Sequence, residues 1–218
     1  MTRISRRPLL LAALLATLSL NLTACFPLVA ATGVGASVLV ATDRRTSGMQ
    51  VEDEGIELKV ANRISEKYGS NTHINVTSYN RRVLLTGEAP TADAKADIKN
   101  LAAGVANVVS TFDEVAVRPA SSFSNRSSDA VITSKVKARF VDANRFSANH
   151  VKVVTEAGIV YLLGLVTQRE ANEAINIART TSGVLKVINC LEVISDADAR
   201  AIDSAIKPSN PPQPRGTS

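Results

Sequence analysis

The middle of this chain is written twice, and that duplication limits its fold more than any other feature. DEGIELKVANRI (residues 53–64) recurs as DAVITSKVKARF (129–140) at an offset of 76 residues. HINVTSYNRRVLLTG (73–87) recurs as HVKVVTEAGIVYLLG (150–164) at an offset of 77, and GVANVVSTFDEV (104–115) as GVLKVINCLEVI (183–194) at 79. One and then two inserted residues explain the drift, and loops absorb insertions of that size. A period near 77 is too long for a solenoid repeat and right for a small domain. The chain should therefore contain two copies of one unit.

Both copies order their apolar residues alike. Ile56, Val60 and Ile64, and likewise Ile132, Val136 and Phe140, recur at the spacing of a helix with a narrow apolar face. Ile74 and Val76, then Val83, Leu84 and Leu85, read as two short strands. Val151 and Val153, then residues 159–162, repeat them, with Glu156-Ala157-Gly158 as a hairpin turn. Thr91 and Asp93 open a second helix lined by Ala94, Ile98, Leu101 and Val105; its counterpart presents Ala171, Ile175, Ala178 and Val184. Residues 108–117 or 187–194 supply a closing strand. The expected fold is α+β: two tandem α-β-β-α-β domains, each a small three-stranded mixed sheet with two helices on one face. The expected boundaries are 50–118 and 127–195, with a serine-rich linker at 119–126 and a proline-rich, mostly disordered tail at 196–218. A unit of this size buries a small core and is marginal alone.

Upstream of the repeats the pattern changes. Arg3, Arg6 and Arg7 precede an uncharged run, 9–22, that is short for a membrane span and suits a signal-peptide core. Small residues Thr23 and Ala24 follow, and then Cys25. LTAC (22–25) resembles a bacterial lipobox, which implies cleavage after residue 24 and a diacylglycerol plus an N-acyl chain on Cys25. Several acyl chains anchor a protein stably where one does not. Phe26, rather than an aspartate, follows the cysteine, which in lipoproteins of this kind favours the outer membrane. Residues 25–49 then read as a lipidated tether. Loss of the three arginines takes the net charge from +5 to +2. That leaves no concentrated basic footprint for nucleic acid. With Cys25 acylated, Cys190 has no partner in the chain and reads as a buried small hydrophobe in an apolar strand.

The repeat resembles the BON domain, of which periplasmic proteins often carry two copies. NVT (75–77), VLLTG (83–87), ITSKV (132–136) and GLVTQREA (164–171) are similar to dual-BON outer-membrane lipoproteins, as is the stretch ATDRRTSGMQVEDEGIELKV (41–60). The resemblance covers roughly residues 22–195. It implies a lipid-anchored protein facing the periplasm, whose second domain meets anionic phospholipid through its first helix. It further implies a role in outer-membrane integrity, at division sites or beside the machinery that assembles outer-membrane proteins. Within that resemblance a tryptophan stands where this chain has Val131.

The helix itself can be examined without the family. At 100° per residue, the face opposite Ile132, Val136 and Phe140 carries Val131, Ser134, Ala138 and Val141, flanked by Lys135 and Lys137. Small apolar residues between lysines suit shallow contact with an anionic membrane. The matching face of the first domain, Gly55, Leu58, Asn62 and Ser65, reads as more polar. Residues 50–118 carry a net charge of −2 and residues 127–195 a net charge of +2. Both comparisons select the second domain. Enzymatic readings find little footing. His73 and His150 stand at equivalent places, with no visible Cys, His or carboxylate cluster at metal-ligand spacing. No catalytic residue, metal or dissociable cofactor is expected.

Overall fold

A computed structural model of the chain describes residues 43–118 and 123–206; Cys25 and the expected signal segment lie outside the described residues. The first repeat runs α1 (Ser47–Tyr68), β1 (His73–Tyr79), β2 (Arg82–Ala89), α2 (Ala92–Ala103), β3 (Ser110–Val117). The second runs α3 (Phe123–Ala143), β4 (Val151–Glu156), β5 (Ile159–Val166), α4 (Gln168–Arg179), β6 (Lys186–Val193), and a further helix, α5 (Asp196–Ile206), follows. Each sheet has its hairpin antiparallel and its third strand parallel to the second, in the order β1-β2-β3 and β4-β5-β6.

Three expected boundaries move. α1 starts at Ser47, inside the expected tether, because the Thr46 side chain accepts a hydrogen bond from the Met49 N–H. α3 starts at Phe123, inside the expected linker. Residues 196–206 are helical rather than disordered: Ser195 Oγ accepts from the Asp198 N–H, and Ala199 is buried. That helix has little apolar bulk to announce it, so periodicity alone passed it over.

The two helices of a repeat share one sheet face. Ile56, Val60 and Ile64 of α1 and Ala94, Ile98 and Ala102 of α2 pack on Val83, Leu85 and Ala89 of β2. Ile132, Val136 and Phe140 do the same over Val160, Leu162 and Val166 in the second repeat. Each fully buried side chain of this size contributes roughly 1.5–3 kcal/mol. The alternate residues point the other way and meet across the repeats: Tyr79 and Leu84 cluster with Tyr161, Leu163, Leu165 and Cys190. The sheets thus stand back to back with helices outside. Covering both faces buries β2 from Val83 to Ala89 without interruption and offsets the small core of each unit.

One device is repeated to hold helix to hairpin. Asp53, buried near the start of α1, accepts from the N–H groups of Asn80 (2.8 Å) and Arg81 (2.7 Å), the two turn residues, both at positive φ. Asp129 accepts from Ala157 and Gly158, both 2.8 Å, in the second copy. Gly87 and Gly164 are matched too, since the first residue of each facing segment, His73 or His150, puts its carbonyl oxygen where a Cβ would stand.

The segment before α1 ties the repeats together. Arg44 reaches the second repeat and is buried there. Its Nη1 donates to Leu165 O (3.0 Å) and Glu170 Oε2 (2.7 Å), its Nη2 to Glu170 Oε1 (3.1 Å) and Asp203 Oδ2 (2.9 Å), and its Nε to Asp203 Oδ1 (2.8 Å). All five guanidinium N–H donors are used. Arg45 turns to the first repeat, pairing with Asp53 Oδ2 at 2.8 Å and covering the Tyr79 ring at 4.0 Å. Burial works against the Glu170 carboxylate, yet the His150 ring, Arg44 and the Thr167 N–H together hold it well below the usual range. The Arg44 hydrogen bond does the same for Asp203.

Arg44→Ala should cost about 3 kcal/mol in urea unfolding, because Glu170 is left buried with only the Thr167 N–H and His150 beside it. Both carboxylates are depressed in the folded state, so their contribution is complete only above about pH 5 and is lost progressively as pH falls below it. The variant should lose part of that acid-side slope, which unfolding curves between about pH 2 and 6 would read.

Candidate functional site

α3 is oriented by its buried side. Asp129 fixes it to the β4–β5 turn, Thr133 Oγ1 lies 2.7 Å from Thr155 Oγ1 on β4, and Arg139 Nη1 donates to Ile177 O and Thr181 Oγ1. The opposite side faces solvent. All six residues expected there, Val131, Ser134, Lys135, Lys137, Ala138 and Val141, are exposed, with Val131 at 54% and Val141 at 65%. Ala130, Val131, Ser134, Lys135 and Ala138 line one shallow depression. Ser134 donates its hydroxyl to Ala130 O, which removes much of its polarity from the surface. Lys135 and Lys137 form no ion pair among the described residues.

Two details modify the sequence reading. Asp142 is exposed one turn beyond Ala138 and offsets part of the positive charge. The equivalent helix of the first repeat is also not free of apolar surface, since Val51 is 69% and Leu58 65% exposed. Charge, rather than apolarity, distinguishes the two: acidic Glu54 and Glu57 neighbour Leu58 where lysines border Val131 and Ala138.

The matched histidines have diverged. His150 is buried beside the arginine clamp, its Nδ1 3.5 Å from Glu170 Oε1. His73 faces Glu88 across the β1–β2 ladder, Nδ1 to Oε2 3.1 Å. Glu156 comes from β4 of the second repeat, so that one ligand atom from each of His73, Glu88 and Glu156 lies within 4.8 Å of the others. The sequence showed no cluster around His73, because its members are far apart in the chain and meet only where the sheets stack. In the second repeat Leu165 takes the place of Glu88, so no such pair forms there.

Cys190 behaves as its apolar surroundings suggest. It is buried between the sheets, and burial, with Glu114 nearby, pushes its thiol up to about 12. It lies far from the thiolate character that a nucleophile requires.

Two matches decide the family: the BON domain profile fits residues 52–119 and again residues 128–195. The chain belongs to the BON-domain family. It is 41% identical over 164 residues to the outer membrane lipoprotein DolP of Haemophilus influenzae, covering 74% of this chain and 85% of that protein. It is 36% identical over 154 residues to the 21 kDa hemolysin of Actinobacillus pleuropneumoniae, covering 70% and 79%. With osmotically-inducible protein Y of Escherichia coli it shares 31% over 149 residues, covering 66% and 74%. Arg44, Arg45 and α5 fall outside both BON matches, so the clamp is built from segments that flank the domains. Among the described residues no helix is long and apolar enough to cross a membrane.

Cys190 should resist alkylation by a maleimide at pH 8 in the folded chain and react fully once the chain is unfolded in guanidinium. Peptide-level mass spectrometry would read the difference, and rapid labelling of the folded protein would contradict the burial described here.

Proposed function

We propose that this chain is an outer-membrane lipoprotein, anchored through acyl chains on Cys25, whose second BON domain lays α3 on anionic phospholipid. The observation that carries the reading is the continuous outward face of α3, where Val131, Ala138 and Val141 stand between two lysines that have no ion-pair partner among the described residues. The similarity to an outer membrane lipoprotein supports the anchor and the compartment. Each lysine near a charged leaflet contributes about 1 kcal/mol, and exposed valines add apolar contact with the headgroup region. Such a contact is weak by itself. Next to a covalent anchor it biases which side of the protein meets the membrane, and in this way it supports outer-membrane integrity, including at division sites. The reading involves no catalytic step and no nucleic acid.

A second reading has its own observation. Val51 and Leu58 on α1 expose apolar surface within an acidic domain, which suits a protein partner such as the machinery that assembles outer-membrane proteins.

The test uses the chain without residues 1–42 and vesicles with or without phosphatidylglycerol. Lys135→Glu with Lys137→Glu should weaken vesicle binding by roughly thirtyfold or more, corresponding to ~2 kcal/mol or above. Val131→Glu should weaken it further, and Leu58→Glu should leave it unchanged. Binding that ignores phosphatidylglycerol and responds only to Leu58→Glu would transfer the function to the first domain and a protein partner.

A further inference from the structure

We propose that His73, Glu88 and Glu156 form a site for a divalent transition-metal ion, zinc in the first place, that clamps the two BON domains together. The reasoning begins with what these side chains are. His73 and Glu88 are cross-strand neighbours in the first domain, and Glu156 ends β4 in the second. Their ligand atoms lie within 4.8 Å of one another, and Nδ1 of His73 is 3.1 Å from Oε2 of Glu88. A four-coordinate zinc with bonds of ~2.0–2.2 Å sets its ligands about 3.4 Å apart, so closing the set takes side-chain adjustment of about an ångström. One imidazole with two carboxylates is a zinc-type donor set, whereas magnesium and calcium prefer oxygen throughout.

Glu156 has acceptor capacity to spare. Glu156 is 8% exposed. Among the described residues its only hydrogen bond comes from Asn75 Nδ2, at 2.8 Å to Oε2. Its Oε1 takes no hydrogen bond from the described residues, and Glu156 lines an open cleft. Glu88 is fully buried at the side chain and is paired on its Oε1 by Arg118 at 2.9 Å.

The outer contacts and the route in are also present. Asn75 orients Glu156, and Arg118 orients Glu88, as the groups behind metal ligands do. A cleft of about 360 Å³ lined by His73, Asn75, Thr133 and Glu156 leads to the cluster, and a second of about 330 Å³ opens between Glu156 and Arg118. Because the ligands come from β1, β2 and β4, the ion would join sheets that otherwise meet through apolar contacts and a few polar bridges.

The experiment is equilibrium dialysis of the full chain in detergent micelles, stripped with chelator, on a Cys25→Ser background that keeps a second thiol out. Thermal unfolding is followed in parallel. The wild type is expected to take up one zinc per chain and to gain stability from it, with no matching response to magnesium. His73→Gln and Glu156→Gln should each weaken uptake by at least about tenfold. Metal-free Glu156→Gln should unfold no more easily than the wild type at neutral pH. Glutamine keeps the length of the side chain and an oxygen that accepts from Asn75. This keeps loss of zinc separate from loss of fold. No uptake by the wild type at about 100 µM free zinc, far above the range of structural zinc sites, would overturn the proposal. So would equal uptake by Glu156→Gln.

Discussion

Two adjacent arginines hold this architecture in place. Arg44 inserts into the second domain and Arg45 into the first, so a single peptide unit lies at the junction of both. A buried guanidinium is tolerable only when its donors are satisfied and its charge is matched. Here Leu165 O, Glu170 and Asp203 satisfy all five donors. Glu170 simultaneously completes the capping box of α4 with Thr167, and Asp203 recruits α5. The helix start, the domain junction and the C-terminal helix are therefore coupled electrostatically. Because Arg44 lies just before α1, the described chain meets the second domain before it enters the first.

Duplication left the framework intact and changed what surrounds it. The helix aspartates, the hairpin glycines and the strand-leading histidines all survive in both copies, and the first two do the same work in each. The histidines do not. His73 meets Glu88, while its counterpart has Leu165 across the strand and meets the arginine clamp instead. A shared backbone position thus fixes where a side chain begins but not what it encounters, since the encounter depends on the other domain.

The stacking also explains why the outer helices are the available surfaces. Each sheet is covered by its own helices on one side and by the other sheet behind, which leaves α1 and α3 to face outward along most of their length. The two surfaces differ mainly in charge. Lysines border the valines of α3, and glutamates border Leu58 of α1. A membrane of anionic lipid would discriminate between them on that basis.

The apolar periodicity by itself determined the α-β-β-α-β order, the inward residues of both long helices and the outward set on α3. These follow from short-range rules, since a helix or strand shows its buried side at a fixed spacing. Asp53 and Asp129 were visible as a matched pair, though without their role as turn caps, because the donors lie on a hairpin elsewhere in the chain. The sequence did not show α5, whose stability rests on Ala199 and Asp203 packing and pairing rather than on a strong stripe. Only the tertiary structure decided that the sheets stand back to back, that Arg44 is buried, and that His73 shares a site with Glu88 and Glu156. Those outcomes join residues separated by tens of positions, and charges that look solvated one by one become costly, and therefore paired, only when two surfaces close over them.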